Sequence, residues 1–335
     1  MAKKKLFKKV LIIRTGAIGD VIHTTNTFRA IKDAHPEVEI HYLTSINESM
    51  LAYDKNIAKV WIIESEKFKP FLKYTMEFAK KLKAEKFDVA INLQPSFKIR
   101  LLVELAKIKT HFNYKKKSKL HAVQNYWETA KKAFPDIKNY PDLKMYLNPE
   151  VSEKMHSELS KYKRPLVVLN AGHVFAKRQG RTYPVEKWIE LGNKIQEKYD
   201  GTILITGVKV DEDILKPLEQ IKNSVSYVSK LSLDENSALI QNSDILISGD
   251  SGPLHIASAL GVKALGLFGS MPIERTGPCG DNCSVVVSPM ECAPCNHIKC
   301  KYLKGTGELY SPCMKMIEVE NIMVEVDKLL GELKL

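Results

Sequence analysis

No stretch of this 335-residue chain approaches the run of about 20 apolar residues that spans a bilayer. The basic opening MAKKKLFKK leads into an apolar segment too short for a secretory h-region, so the expected location is the cytoplasm. Cysteine is missing from everything before Cys279; all six lie between Cys279 and Cys313, which leaves no disulfide framework spread along the chain. The G-x-G-x-x-G dinucleotide fingerprint is absent from both halves, which argues against a nicotinamide-dependent dehydrogenase. Aromatic residues are not interleaved with basic ones, and no nucleic-acid-binding signature appears.

What is present suits a globular protein with two ordinary cores: 44% hydrophobic and 27% charged residues. The net charge of +12 fits an acidic partner, whether an anionic membrane surface or a phosphorylated small molecule, and equally a lysine-rich surface kept for solubility or heat tolerance. Apolar β-branched runs alternate with segments of helical period from KKVLIIR to KTHFNY and again from RPLVVLNAG to KALGLFG. That alternation predicts an α/β fold with two doubly wound, mostly parallel sheets and a ligand cleft at the strand carboxyl ends. The proline-rich, polar stretch PDIKNYPDLKMYLNPEVSEK marks the boundary, giving domains over 1–150 and from 151 onward, and IEVENIMVEVDKLLGELK predicts a final amphipathic helix.

Each half has one junction of unusual chemistry. RTGAIGDVIHTT reads as strand, glycine turn and helix, with the anion Asp20 where a phosphate commonly sits; a plain helix-capping role is the simplest alternative. ILISGDSGPLHIASALG ends a strand in Asp250-Ser251-Gly252 and opens a helix at Pro253, so its backbone N–H groups form an anion site while Asp250 meets sugar hydroxyls or merely caps the helix. Lys177, Arg178 and Arg181 stand on a loop after a strand of the second half and either counter a pyrophosphate or are solvated. Asp211 and Glu212 follow another strand, where an acid binds ribose hydroxyls or simply complements a helix dipole.

Taken together, IRTGAIGDVIHTT, NAG…RTYPVEKW and SGDSGPLHIASALGVKALGLFGS, in that order over nearly the whole chain, resemble glycosyltransferase family 9, the heptosyltransferases of the lipopolysaccharide inner core. The resemblance implies a GT-B architecture of two Rossmann-like domains facing a central cleft. The N-terminal domain (1–150) would bind the acceptor, the C-terminal one (151–318) the nucleotide sugar, and a last helix (319–335) would pack back on the N-terminal domain. It implies inverting, metal-free transfer of heptose from ADP-heptose to a lipid-linked saccharide at the cytoplasmic face of the inner membrane. Asp20 takes the role of general base. Gly172, His173, Lys177, Arg178, Arg181, Asp211, Glu212, Asp250, Ser251, Gly252 and His255 fall on the donor side. Gly16, Gly19, His23, Lys98, Arg100, Lys115, Lys117 and His121 fall on the acceptor side, with Lys116 and Lys119 in the same basic cluster. Arg181 departs from the family, whose phosphate-binding residue before the Tyr/Trp-Pro step is lysine; a planar fork replaces a point charge.

The cysteines form a separate pattern. Cys292-x2-Cys295-x4-Cys300-x12-Cys313 has spacings that wrap a structural zinc ion or an iron–sulfur cluster, with free thiols or a disulfide as alternatives, Cys279 and Cys283 as a looser pair and His297 as a substitute ligand. No cofactor is expected in catalysis itself. Two further readings of the whole chain stay open: the same enzyme class with another nucleotide sugar, or a silent nucleotide-binding module.

Overall fold

The sequence KVLII puts β-branched and aliphatic side chains on both faces of a strand, which is stable only where helices cover both sides. Such strands build both sheets of the protein, described here from a computed structural model over residues 7–64, 71–115, 117, 119–172, 181–209, 212–297, 300–306 and 308–331. The chain divides into two units, Met1–Tyr146 and Leu147–Leu335.

The first unit runs β1 (Lys9–Ile13), α1 (Ile18–Ile22), α2 (Thr25–Ala34), β2 (Glu39–Thr44), α3 (Ser49–Ala52), β3 (Lys59–Ile62), α4 (Phe71–Ala84), β4 (Val89–Asn92), α5 (Phe97–Leu105), β5 (Thr110–Asn113) and α6 (Ala122–Lys131). Its sheet has the order β3-β2-β1-β4-β5 with every pairing parallel. Strand β1 is therefore central, and its carboxyl end is flanked by those of β2 and β4. Leu11, Ile13, Leu43, Phe78, Leu82, Ala90 and Leu102 share one buried cluster on one face of the sheet; each such aliphatic side chain contributes about 1.5–3 kcal/mol through burial. The stretch DVIHTTNTFRAIKDAH, Asp20 to His35, reads in sequence as a single helix. The chain instead breaks at His23–Thr24, where Thr24 turns its hydroxyl back onto the Val21 carbonyl and meets the Tyr42 hydroxyl, ending α1 after one turn.

The second unit runs α7 (Pro149–Leu159), β6 (Leu166–Asn170), α8 (Val185–Tyr199), β7 (Thr202–Thr206), α9 (Glu212–Leu215), β8 (Ser224–Ser226), α10 (Leu233–Gln241), β9 (Ile245–Gly249), α11 (Gly252–Leu260), β10 (Lys263–Phe268), α12 (Ile273–Thr276), β11 (Cys283–Val287), α13 (Pro312–Lys315) and α14 (Val319–Gly331). The order β11-β10-β9-β6-β7-β8 is again parallel throughout. Helix ends follow local chemistry. Ser232 and Glu235 exchange hydrogen bonds with each other's backbone N–H at the start of α10, and α11 stops at Gly261, whose φ of +76 suits glycine. Trp188 and Tyr183, rings perpendicular at 5.3 Å, anchor α8 in the core.

Val319, Ile322, Val326, Leu329 and Leu330 are buried in the core of the second unit with Trp188 and Ile317, and α14 packs on α8, β10 and β11. Its apolar stripe has the period of one face, and residues of its own unit pack against that face.

Candidate functional site

At the carboxyl end of β1 the chain passes Arg14 and Thr15 and turns at Gly16, whose φ of +155 is a region that side-chain-bearing residues rarely enter. Helix α1 then opens with Asp20 in its first turn. Both carboxylate oxygens of Asp20 are engaged. Oδ2 forms an ion pair with Arg14 and accepts the Ala17 N–H at 3.2 Å, while Oδ1 accepts the Tyr126 hydroxyl at 3.0 Å. The simple capping role is therefore realised in part, but it occupies one oxygen only. The Asp20 side chain keeps 31% of its surface exposed, whereas that of Arg14 keeps 9%.

Arg14 and Tyr126 were not singled out in the sequence. Arg14 Nη1 donates to the Leu93 carbonyl at 2.8 Å, tying the turn after β1 to the one after β4, and its guanidinium lies 5.4 Å from the Tyr126 ring centre. Burial works against the Arg14 charge, but the Asp20 carboxylate together with the neighbouring Tyr126 and Tyr42 outweighs it, so the net shift is upward. Burial, and then the same carboxylate, push the Tyr126 phenol far above its ordinary range; it stays a donor at any working pH. A basic residue six positions before an acid on a strand-turn-helix hinted at Arg14; nothing local pointed to Tyr126, which comes from α6, more than a hundred residues away.

Of the other first-unit candidates, Gly16 and Gly19 shape the turn itself. His23, buried, ends α1 and meets His121 edge to face at 5.3 Å. His121 caps α6, its Nδ1 accepting the Val123 N–H at 3.2 Å. Lys98 and Arg100 are exposed on α5, and Lys115, Lys117 and Lys119 are exposed on the loop after β5. Strand pairing sets these loops at the same sheet edge as Asp20. Lys116 lies outside the described residues.

In the second unit β6 and β9 are neighbours, with Asn170 in register with Ser248. Asn170 Nδ2 donates to the hydroxyls of Ser248 (2.9 Å) and Ser251 (3.2 Å), and the two serines meet at 2.7 Å. Ser251 thus makes no side-chain cap on α11. Its hydroxyl joins the strand ends instead, at the start of a nine-residue helix whose N-terminal dipole favours an anion. Asp250, buried, pairs with Arg181 at 3.1 Å and faces His255 Nε2 at 3.8 Å. Gly249 makes this approach feasible, because a Cβ there would stand 2.7 Å from the Arg181 carbonyl oxygen. The structure therefore gathers Arg181, Asp250, Ser251, Gly252 and His255. Gly172 follows β6, and Glu212 opens α9 after β7, exposed. His173, Lys177, Arg178 and Asp211 lie outside the described residues.

Cys292, Cys295, Cys300 and Cys313 line one small cavity with His297. All six cysteines are thiols, so the disulfide alternative is not what the structure holds. Cys279 and Cys283 stand apart, at the β11 edge, where burial pushes the Cys283 thiol up to about 11. No described helix is long and apolar enough to cross a membrane.

Two units, each built on a parallel doubly wound sheet, have the architecture of GT-B glycosyltransferases. Residues 75–305 match the glycosyltransferase family 9 (heptosyltransferase) profile, and the chain belongs to that family. It is 22% identical to the lipopolysaccharide core heptosyltransferase OpsX of Haemophilus influenzae over 98% of this chain and 96% of that one. Its fold is shared with a family 9 glycosyltransferase of Veillonella parvula (TM-score 0.83, 19% identity, 97% of this chain and 98% of that). The ADP-heptose lipopolysaccharide heptosyltransferase II of Escherichia coli shares it too (TM-score 0.78, 18% identity, 97% and 99%).

Proposed function

We propose that this glycosyltransferase is an inverting heptosyltransferase, moving heptose from ADP-L-glycero-D-manno-heptose to the lipopolysaccharide inner core, with Kdo-lipid A or heptosyl-Kdo-lipid A as acceptor. The acceptor hydroxyl attacks the anomeric carbon, the bond from that carbon to the diphosphate oxygen breaks, and ADP leaves with the bonding pair. The hydroxyl proton passes to Asp20. The observation that carries this reading is the Asp20 carboxylate, oriented through both oxygens by Arg14, Ala17 and Tyr126 yet still partly exposed.

On the donor side Arg181 and the N–H groups at the start of α11 would neutralise the leaving diphosphate, with Asp250 fixing the guanidinium and Gly252 admitting the phosphate close to the backbone. His255, and the basic loop with His173, Lys177 and Arg178, would complete that subsite; Gly172, Asp211 and Glu212 would meet the nucleoside. On the acceptor side Gly16, Gly19 and His23 would shape the floor. Lys98, Arg100, Lys115, Lys117 and His121 would face the phosphates and sugar-acid carboxylates of a lipid-linked saccharide, with the protein peripheral on the cytoplasmic face of the inner membrane.

The test is transfer from ADP-heptose to Kdo-lipid A, read by mass spectrometry, beside Asp20→Ala. The proposal expects a heptosylated product from the native chain and none from the variant, with ADP-heptose binding kept in both. Product from another nucleotide sugar alone would move the donor assignment. A second reading rests on the same clamp: if Asp20 is only a latch between β1 and α6, Asp20→Asn would lower thermal stability and leave turnover in place.

A further inference from the structure

Residues 288–311, between β11 and α13, are stabilised by little that is visible in their sequence. Among the described residues this segment has one three-residue 3-10 turn, Lys301–Leu303, and the buried apolar side chain in it is Leu303. Connections of this length without secondary structure are rare in compact domains unless something braces them. The segment is nonetheless tied to the rest of the second unit. Asn296 N–H donates to the Ser270 carbonyl at 2.7 Å, just beyond β10, and the Asn296 side chain accepts from Arg275 at 3.4 Å. Small units that lack a core of their own are commonly stapled by disulfides or a metal. Disulfides are absent here.

What the segment does have is convergence. Cys292 and Cys295 from its first turn, Cys300 from the start of the 3-10 turn and Cys313 from α13 line the same cavity, and Cys313 is buried with its Sγ 3.1 Å from the Ser311 hydroxyl. The four come from three separate stretches of chain, so their meeting is a product of the fold and not of sequence adjacency. The cavity is about 20 Å³. A single water-sized sphere needs roughly 10–15 Å³, so one ion fits and a multi-iron cluster does not. His297 is exposed at the rim, which favours the four sulfurs as the ligand set.

We propose that these four cysteines bind one thiolate-preferring transition ion of the zinc class as a structural staple for the loop beside β10 and β11. With thiols in their present rotamers, no three ligand-type side chains among the described residues yet stand at metal-binding spacing. Closure to sulfur–metal distances of about 2.3 Å takes rotation of the cysteine χ1 angles between staggered wells. Each thiol that ligates gives up its proton to solvent, so binding releases protons. The proposal stands apart from glycosyl transfer, because its readouts need no turnover.

The full-length chain, purified without chelator, should carry about one equivalent of zinc or iron by elemental mass spectrometry. Cys295→Ser and Cys300→Ser should each lose it, and Cys279→Ser should keep it. Cobalt(II) added to the metal-stripped protein should give an intense sulfur-to-cobalt charge-transfer band, absent from both ligand variants. Should those variants fail to fold, an organomercurial added to the native protein should release the metal to a chromogenic chelator as the thiols react. Four titratable thiols with no metal and no cobalt band would overturn the proposal. So would a disulfide among the four, or metal retained unchanged when all four are serine, which would mark an adventitious ion only.

Discussion

A carboxylate that is to take a proton must be aimed and must keep a lone pair open. Asp20 meets the first condition through three donors on two oxygens and the second through its exposed surface. Asp20→Asn keeps the shape and removes the basicity; we expect kcat to fall roughly 10²–10⁴-fold with ADP-heptose affinity unchanged, as measured by steady-state kinetics and calorimetry. Tyr126→Phe deletes the donor to Oδ1 alone. Since a hydrogen bond to a charged group is worth about 1.5–3 kcal/mol, a loss of roughly 10- to 150-fold in kcat with little change in donor KM is expected. An equal loss in KM would instead assign Tyr126 to substrate binding. At this scale the sequence showed Asp20 and Asp250 but not what holds them. Ion pairs such as Arg14–Asp20 and Arg181–Asp250 depend on turns closing, and the Tyr126 contact depends on α6 crossing the end of the sheet.

At the scale of elements, the strands were legible because parallel strands covered on both faces are nearly unbroken runs of Val, Ile and Leu, as in β6 and β9. Elements hidden by polar surroundings were not. Helix α7 begins inside the proline-rich stretch read as a domain boundary, where Asn148 caps it through the Glu150 N–H, and β11 begins at Cys283, where only the cysteine spacing drew notice in the sequence. Strand order, too, is a tertiary outcome that no local pattern prints. The junction of β9 and α11 gives a prediction of its own. Gly249→Ala would drive a Cβ to 2.7 Å from the Arg181 carbonyl, a backbone atom that cannot swing aside. A loss of about 1–3 kcal/mol in stability is expected, together with a raised KM for ADP-heptose; an unchanged donor KM would show that Arg181 plays no part in that subsite.

Over the whole molecule the excess of 51 basic over 39 acidic residues acts at longer range. If the exposed lysines after β4 and β5 recruit an anionic acceptor, KM for Kdo-lipid A should rise as salt increases from about 0.01 to 1 M, over which the screening length shrinks from about 30 to 3 Å. Lys115→Glu with Lys117→Glu should flatten that dependence. The first sheet also carries a pH signature. Hydrogen bonds from Lys9 and Lys59 hold Glu85 down at about 2, against an ordinary 4.5. A carboxylate depressed in the folded state adds stability above its unfolded value, and that stability is lost as pH falls. Melting curves of Glu85→Gln should therefore lie below those of the native chain at neutral pH, and the gap should close between about pH 4.5 and 2.

The contact between Gly249 and the Arg181 carbonyl has one more consequence. It is made by main-chain atoms that every amino acid carries, so the anchorage of that loop is indifferent to the headgroup mounted on it. Descendants of this chain can trade guanidinium for ammonium at position 181 without rebuilding the junction, whereas a replacement at 249 would have to be answered elsewhere in the backbone.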